Sequence, residues 1–267
     1  MTRVAVLGVG KLGEALLGGL LRAGRPASDV LVTARRPERA AELAERYGVR
    51  AVGNAEAAAE ADVLLLVVKP QDMGALLDEL AGAVPPDRLV VSLAAGITTA
   101  TLEAALAPGT AVVRVMTNTP VLVDAAMSAV SPGSAAGEEH LAVVEELLRS
   151  VGSTVRVPEK QQDAVAALSG SGPAYFFYLV EAMTDAGILL GLPRAVAHEL
   201  LVQTALGAAL MLRDSGERPV ALREAVMSPA GTTIGAIRVM EDHGVRAAML
   251  AALEAARDRS RELAAGG

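Results

Sequence analysis

The sequence predicts an α/β fold in which a doubly wound parallel sheet over residues 1–158 is followed by an all-helical domain over residues 159–267. Up to Pro158, short runs rich in Val and Leu alternate with helical stretches rich in Ala and Glu, a pattern typical of a parallel sheet covered by helices. After Pro158 the strand pattern disappears and helical periodicity continues, with predicted breaks at 191–193, 214–216 and 227–231. The length of 267 residues and the apolar share of 52% are enough for two domains, each with its own core.

Seven apolar runs in the first part are predicted strands. The first five are predicted to be parallel, because a helical stretch separates each of them from the next. The last two would extend the sheet, and a predicted helix at 137–150 with apolar residues at helical spacing lies between them. The predicted strands are 4–7, 30–32, 63–68, 89–92, 111–115, 126–130 and 154–157.

Three glycines at the G-x-G-x-x-G spacing, Gly8, Gly10 and Gly13, follow the first predicted strand and open a predicted helix at 14–23. In such a turn the first glycine permits a tight bend, the second lets a pyrophosphate approach the backbone, and the third lets the helix pack closely on the sheet. The helix N-terminus directs free N–H groups and the positive end of its dipole at the anion. We therefore predict a Rossmann dinucleotide-binding turn; the alternative is a strand, turn and helix without a ligand.

The end of the second predicted strand indicates which dinucleotide is bound. Sites for NAD carry an Asp or Glu about 20 residues after the glycines, whereas an Arg nearby accommodates the 2′-phosphate of NADP. This sequence has Arg35 and Arg36 there and no carboxylate, and the Thr33 hydroxyl is a further donor for a phosphate. We predict NADPH as the cofactor and NADH as a weaker one; a solvated basic turn is the alternative.

Three further strand ends border the predicted ligand crevice, because the carboxyl ends of parallel strands meet at one edge of the sheet. Lys69 follows the third strand and is one of three lysines among 24 basic residues. Small residues around Ala95 follow the fourth strand, where nicotinamide and substrate would approach the backbone. Asn118 lies in an uncharged Thr-Asn-Thr-Pro run after the fifth strand. The alternatives are a surface lysine and ordinary turns.

Two motifs lie in the helical part. A Ser-Gly-Ser-Gly-Pro-Ala segment at 169–174 precedes four aromatic residues at 175–178, which we interpret as a packing cluster at a tight helix contact. The segment 226–233, Val-Met-Ser-Pro-Ala-Gly-Thr-Thr, precedes a predicted helix from Ile234. Its hydroxyls and the free N–H groups of that helix predict a carboxylate-binding site, whereas an N-cap alone would explain a single Ser or Thr.

Composition argues against several other functions. A net charge of −7 without any basic run argues against nucleic-acid binding. No uninterrupted apolar run, 63–68 among them, approaches the about 18 residues that a membrane span needs. There is no cysteine and the three histidines stand singly, so we predict neither thiolate chemistry nor a metal site. Because no signal-peptide pattern opens the sequence, we expect a cytoplasmic protein.

One helical stretch, 200–212, is apolar nearly all round. Such a helix must be buried on every side, and a domain of roughly 110 residues has little interior to offer it. We therefore expect this helix to be buried against a second subunit in a homodimer.

Together these motifs resemble those of pyrroline-5-carboxylate reductases, the NADPH-dependent enzymes of the last step of proline synthesis, along essentially the whole chain. The resemblance implies a Rossmann domain, a helical domain that interlocks with its twin in a dimer, and often larger rings of dimers. It also implies hydride transfer to a cyclic imine carboxylate, which needs no strong general acid because a protonated imine is already activated. The segments that match are 8–13, Asn54, 68–70, 94–96, 116–120, 168–175 and 228–233, with Ala236 and Glu241 beyond it.

The resemblance also implies roles for particular residues. The substrate carboxylate would be held by Ser228, Gly231, Thr232 and Thr233. As the catalytic residue, Thr233 would also hydrogen-bond the ring nitrogen. Asn54 would contact the adenosine portion of NADPH. The residues predicted to bind the cofactor are Gly8, Gly10, Lys11, Leu12, Gly13, Thr33, Arg35, Arg36, Asn54, Val68, Lys69, Pro70, Ala95 and Asn118.

Two other functions fit the same architecture. A β-hydroxyacid dehydrogenase-like oxidoreductase would use a lysine of the helical domain for proton transfer, but no lysine follows Lys160. A non-catalytic nucleotide-binding protein of the same fold would not need the segment 226–233, the threonine-rich loop, as a substrate site. Two positions depart from the family pattern: Ala225 stands where an amide side chain is frequent, and Ala230 stands where a glycine is expected.

Overall fold

The computed structural model describes residues 2–264, which contain one sheet of eight strands. The strands are β1 (Val4–Leu7), β2 (Val30–Thr33), β3 (Arg50–Ala51), β4 (Val63–Leu66), β5 (Leu89–Ser92), β6 (Ala111–Met116), β7 (Ala126–Pro132) and β8 (Gly152–Arg156). Across the sheet their order is β3-β2-β1-β4-β5-β6-β7-β8. The strands β1 to β6 are parallel, β7 is antiparallel to β6, and β8 is parallel to β7. This order confirms the predicted doubly wound Rossmann sheet.

Helices connect most of the strands and follow one another after β8. Their breaks after β8 include 190–193, 215–218 and 226–231, at the three places where Gly, Pro and Ser residues predict them. The α-helices are α1 (Lys11–Arg22), α2 (Pro37–Tyr47), α3 (Asn54–Glu60), α4 (Pro70–Leu80), α5 (Thr99–Ala105), α6 (Glu138–Arg149), α7 (Gln162–Val165), α8 (Gly172–Leu189), α9 (Arg194–Asp214), α10 (Pro219–Ala225), α11 (Thr232–Asp242) and α12 (Val245–Ala264).

Three details of the sheet differ from the prediction. The strand β3 has two residues, too few to show a strand pattern in the sequence. The strand predicted at 63–68 ends at Leu66, so Val67 and Val68 begin the following loop. The strand β7 is antiparallel to β6 because a short 3₁₀ turn at Thr119–Val123 connects them, whereas a parallel pair needs a longer crossover.

The strands β1, β2, β4, β5 and β6 are buried on both faces of the sheet, whereas the edge strands β3 and β8 are partly exposed. Alternate side chains of a strand point to opposite faces. On one face Val6 packs in a core with Leu16 of α1 and with residues of α2 and α6. On the other face Leu7 packs in a core with Met73 of α4 and with residues of α3 and α5. Burial on both faces explains why these strands are continuous apolar runs. The register places the carboxyl ends of β1, β2, β4 and β5 level at one edge.

The described residues divide into two compact units, one formed by 2–171 with 256–264, and the other by 172–255. In the first unit the side chain of Gln162 is fully buried, and its Nε2 donates to the Ala129 carbonyl (3.2 Å) and to Ser131 Oγ (2.7 Å). These hydrogen bonds attach the segment after β8 to the sheet. The sheet unit thus extends beyond residue 158, and the domain boundary at 158/159 stays a prediction.

In the unit formed by 172–255, α8 and α9 approach closely where Gly187 faces Ala197. A Cβ on Gly187 would lie 2.8 Å from the Cβ of Ala197. Phe176 and Phe177 are each 68% exposed, so residues 2–264 of a single chain do not bury these two members of the predicted aromatic packing cluster. The helix α8 is apolar on more sides than a single chain covers, so the packing cluster stays a prediction for the homodimer.

The helix α9 contains the apolar stretch from 200 to 212, and Ala197 is the one buried residue among those described along it. Leu200, Leu206 and Met211 are each more than half exposed. By length and composition alone, α9 is also the one described helix that is long and apolar enough to cross a membrane. Single polar and charged residues interrupt the apolar side chains of α9, so the sequence has no uninterrupted apolar run of membrane-spanning length there.

Candidate cofactor and substrate sites

The turn between β1 and α1 has the conformation that its glycines predict. Gly8 has a φ of +83°, and a Cβ there would lie 2.3 Å from Val68 Cγ1. The Gly8 N–H donates to the carbonyl and to Oγ1 of Thr33 (3.2 and 3.1 Å), and the Val9 N–H donates to the same carbonyl (3.0 Å). The buried Thr33 therefore supports the turn from the neighbouring strand, and its predicted contact with a phosphate stays a prediction.

Gly10 precedes α1 and faces open space, since, apart from Gly10 and its two chain neighbours, no atom of residues 2–264 lies within 4 Å of a Cβ built on it. No side chain of the described residues caps α1, so the N–H groups of Lys11, Leu12 and Gly13 are available to a ligand. A Cβ on Gly13 would lie 3.5 Å from Val6 Cγ1, an ordinary van der Waals distance, so the close packing at Gly13 would also admit alanine. Both the space at Gly10 and the available donors fit a pyrophosphate.

The two arginines after β2 have different surroundings. Arg35 Nη2 lies 2.6 Å from Oδ1 of Asp72, which belongs to the first turn of α4, and the Arg35 side chain is 77% exposed. Arg36 is exposed and has no ion-pair partner in the part of the chain that the structure describes. No carboxylate directly follows β2 in the sequence. Asp72 belongs to α4, and its pairing with Arg35 could not be predicted from the spacing of residues after β2. Arg36 is free to bind an anion, whereas the charge of Arg35 is partly compensated.

A network around Glu14 connects α1 with α2. The Glu14 carboxylate accepts hydrogen bonds from Arg39, from Arg46 Nη1 (3.0 Å) and from the Tyr47 hydroxyl (2.9 Å). Burial raises the pKa of the Glu14 carboxyl, but the hydrogen bonds from Arg39 and Tyr47 outweigh burial and hold this pKa below its usual value. Glu14 therefore stays ionised at neutral pH and anchors the helix that begins directly after Arg36.

The other predicted cofactor residues follow the carboxyl ends of β3, β4 and β5. Lys69 and Pro70 lie at the start of α4 and are exposed. Ala95 is exposed in the turn after β5. Asn54 is the first residue of α3, and its Nδ2 donates to Oε2 of Glu79 at 2.7 Å. The sheet topology thus places these residues at the same edge as the glycine turn.

Asn118 joins two neighbouring segments through both ends of its side-chain amide. Its Nδ2 donates to the carbonyl and Oγ of Ser169 (3.2 and 3.3 Å), and its Oδ1 accepts the Met127 N–H (3.0 Å). Ser169 belongs to a π-helical turn at Ala166–Gly170, a feature frequent at functional sites. The side-chain amide of Asn118 is thus hydrogen-bonded within residues 2–264, and its predicted contact with the cofactor stays a prediction.

Sequence reasoning missed a polar cluster around Glu159. The Glu159 carboxylate accepts hydrogen bonds from the N–H (2.6 Å) and hydroxyl (2.5 Å) of Thr99, and it lies 3.4 Å from Arg114 Nη1. The side chain of Arg114 is 6% exposed, so Glu159 compensates a buried charge on β6 and also binds the start of α5. No local pattern reveals such a cluster, because its three members come from separate parts of the chain.

The threonine-rich loop forms a tight turn before α11. The Gly231 N–H donates to the Ser228 carbonyl (3.0 Å), and a Cβ on Gly231 would lie 2.3 Å from Ser228 Oγ. Within residues 2–264 no side chain caps α11, so the N–H groups of Thr232 and Thr233 are available to a ligand. Ser228 and Thr232 are exposed and Thr233 is half-buried. Such an arrangement of N–H and hydroxyl donors suits a carboxylate, and the roles of these four residues stay predictions.

Ala230, where the family pattern favours glycine, has a φ of +57°. A side chain in this left-handed conformation costs about 1–2 kcal/mol, which glycine avoids. The departure noted in the sequence therefore adds backbone strain within the loop that precedes α11.

Two of the three histidines have local partners at helix ends. His140 Nδ1 accepts the Gly137 N–H (3.0 Å) at the start of α6, and His243 Nδ1 lies 2.9 Å from the Val239 carbonyl oxygen. Among residues 2–264 there is no group of three or more His, Cys, Asp or Glu residues that could hold a metal ion.

Two family models match this chain. Residues 159–263 match the model described as pyrroline-5-carboxylate reductase dimerisation. Residues 3–96 match the model described as NADP oxidoreductase, coenzyme F420-dependent. The matches agree with an NADP-dependent oxidoreductase that carries a helical dimerisation domain.

Individual relatives match over nearly the whole length. A pyrroline-5-carboxylate reductase of Corynebacterium melassecola is 46% identical over 267 residues, which cover 98% of this chain and 99% of that protein. A solved pyrroline-5-carboxylate reductase from Coxiella burnetii has a TM-score of 0.93 at 35% identity, with 98% of both chains covered. A pyrroline carboxylate reductase of Plasmodium falciparum, solved with NADP bound, has a TM-score of 0.87 at 25% identity, again over 98% of both chains. This chain therefore belongs to the pyrroline-5-carboxylate reductase family.

Proposed function

We propose that this chain reduces 1-pyrroline-5-carboxylate to L-proline with NADPH, the last step of proline biosynthesis. The observation that carries the proposal is the 46% identity to a pyrroline-5-carboxylate reductase over 98% of this chain. The glycine turn and the threonine-rich loop supply the two binding sites that this reaction needs, one for a dinucleotide and one for a carboxylate.

The sheet unit binds the cofactor in this proposal, and NADPH supplies the hydride. The N-terminus of α1 holds the pyrophosphate in this proposal. Its N–H groups are free to donate to the anion, and the open space at Gly10 leaves room for it. Arg36, with Arg35, binds the 2′-phosphate. Lys69 and Ala95 line the dinucleotide at the same edge of the sheet.

The helical unit binds the substrate. The N–H groups at the start of α11 hold the carboxylate, and the Thr233 hydroxyl hydrogen-bonds the ring nitrogen. A protonated cyclic imine is electrophilic without further activation, so orientation and hydrogen bonding replace a strong acid. Because the substrate is already electrophilic, a loop of hydroxyl and N–H donors that binds and orients it suffices for the reaction.

We also infer a homodimer, and a ring of dimers as its larger form, in the cytoplasm. The exposed apolar side chains of α9 lie inside the segment that matches the dimerisation model, which favours a second subunit over lipid as their cover. The ends and interior of α9 also carry charged residues such as Arg194 and Glu199. The net charge of −7 supports the proposal that nucleic acid is not a partner.

An assay of the purified protein tests the proposed reaction. We expect NADPH oxidation that depends on added 1-pyrroline-5-carboxylate and yields proline. Turnover of hydroxy or keto acids alone would instead identify a β-hydroxyacid dehydrogenase-like enzyme. Binding of NADPH without turnover of any of these compounds would indicate a non-catalytic protein.

The double variant Arg35→Ala/Arg36→Ala tests the choice of cofactor. We expect the Kd of NADPH to rise about 10- to 100-fold, because charge-assisted hydrogen bonds to the 2′-phosphate are lost, while the Kd of NADH changes little. Calorimetry with both cofactors measures the two constants. The variant Arg149→Ala, which removes an exposed arginine from α6, is the control. Equal losses for NADPH and NADH would contradict a 2′-phosphate site.

A further inference from the structure

Asp72 stands beside the predicted 2′-phosphate site without a part in the function described above. Its Oδ1 lies 2.6 Å from Arg35 Nη2. The side chains of Arg35 and Asp72 are 77% and 32% exposed, so the pair is open to solvent and to a ligand. This ion pair joins the loop after β2 to the first turn of α4.

The arginines at the start of α2 differ in how far carboxylates compensate them. Arg39 is bound by Glu14 and by Glu42 (2.8 Å). Arg35 is bound by Asp72, whereas Arg36 has no carboxylate partner among residues 2–264. A phosphate that approaches this loop therefore meets one uncompensated guanidinium and one that it must share.

Sharing affects NADPH and NADH differently. The carboxylate of Asp72 and a 2′-phosphate compete for the N–H groups of Arg35, and the two anions repel each other. NADH has a hydroxyl in place of this phosphate, so the carboxylate of Asp72 changes the affinity for NADH little. The ion pair thus lowers the contribution of the 2′-phosphate to the affinity for NADPH. The contribution of the rest of the dinucleotide stays unchanged.

We propose that Asp72 is a specificity-determining residue that narrows the preference of this enzyme for NADPH over NADH by competing for Arg35. The proposal rests on the proposed function, in which Arg35 and Arg36 bind the 2′-phosphate. Asp72 acts through Arg35 and is therefore separate from the residues that hold the substrate.

Adenosine 2′,5′-bisphosphate and adenosine 5′-monophosphate are suitable probes, because they differ in the 2′-phosphate and do not depend on turnover. We measure their Kd values by calorimetry with the parent protein and with Asp72→Asn. We expect Asp72→Asn to bind the bisphosphate about three- to fivefold more tightly and the monophosphate as before, the size expected for an exposed ion pair. Asp72→Ser serves as a second variant if the asparagine variant does not fold.

Two controls separate this mechanism from a general effect of charge. Asp78→Asn removes the same charge from an exposed position of α4 and should leave both constants unchanged. In an Arg35→Met background, Asp72→Asn should lose most of its effect, because the competition for Arg35 no longer exists and only the weak repulsion between two exposed anions remains.

Other outcomes overturn the proposal. Weaker binding of the bisphosphate by Asp72→Asn would show that Asp72 orients Arg35 for the phosphate. An equal gain in Asp78→Asn would show a general effect of charge. If the parent protein bound both probes equally well, the 2′-phosphate site itself would be refuted, whereas tight bisphosphate binding that Asp72→Asn leaves unchanged would refute the role of Asp72 alone.

Discussion

Replacing Thr233 by alanine is expected to lower kcat/KM for 1-pyrroline-5-carboxylate about 10- to 100-fold, the loss typical of one hydrogen bond to a charged group. The Kd of NADPH should stay unchanged, because the cofactor binds at the carboxyl edge of the sheet. The physical reason is that Thr233 lies at the start of α11, where its hydroxyl accompanies the free N–H groups that hold the carboxylate. Steady-state kinetics with NADPH oxidation as the signal measure the change.

Two further variants at this position identify the hydroxyl as the cause. Thr233→Ser retains the hydroxyl and should recover most of the activity. Thr233→Val retains the shape without the hydroxyl and should lose as much as alanine. If the alanine variant kept the parent kcat/KM, Thr233 would have no role at the ring nitrogen.

The variant Gly10→Ala is expected to weaken NADPH binding about 10- to 100-fold, the size expected when one added methyl group meets a tightly bound ligand. Apart from Gly10 and its two chain neighbours, no atom of residues 2–264 lies within 4 Å of a Cβ at Gly10, so the protein itself has room for it. Gly10 also has a φ of −91°, outside the left-handed region that favours glycine. The thermal midpoint of the variant, measured without cofactor, should therefore equal that of the parent.

Gly13→Ala is the matched control within the same turn. A Cβ at Gly13 would contact Val6 at 3.5 Å, away from the open space at Gly10. Alanine is also favoured over glycine inside a helix, so stability should not fall. Calorimetric titration with NADPH should thus show little change for Gly13→Ala. Equal losses of NADPH affinity in both variants, or unchanged NADPH binding in Gly10→Ala, would contradict a pyrophosphate site at Gly10.

Much of the fold could be predicted because its signals are local. The strands β1 and β5 have the predicted bounds, and the helix breaks after β8 lie where Gly and Pro residues indicate them. The strand β3 could not be predicted, since two residues are too few for a pattern. The antiparallel direction of β7 also escaped prediction, because it depends on how the chain returns to the sheet.

The candidate sites were predictable to the extent that a backbone motif defines them. The glycine turn and the loop before α11 have the donors and the space expected from their sequences. The partners of individual side chains were not predictable. Asp72 beside Arg35 and Ser169 beside Asn118 are close only in three dimensions, and no spacing rule connects residues so distant in the chain.

The sequence by itself determined the doubly wound sheet, the dinucleotide turn, the helical second part and, through its motifs, the family. These features follow from periodicity and from the backbone freedom of glycine, both of which act between near neighbours. The tertiary structure alone decided which polar groups remain free. It assigns the Asn118 amide to Ser169, the Arg35 guanidinium to Asp72 and the Thr33 hydroxyl to Gly8. The reason is that hydrogen bonds and ion pairs act over a few ångströms, so only the folded chain determines which groups come within reach of each other.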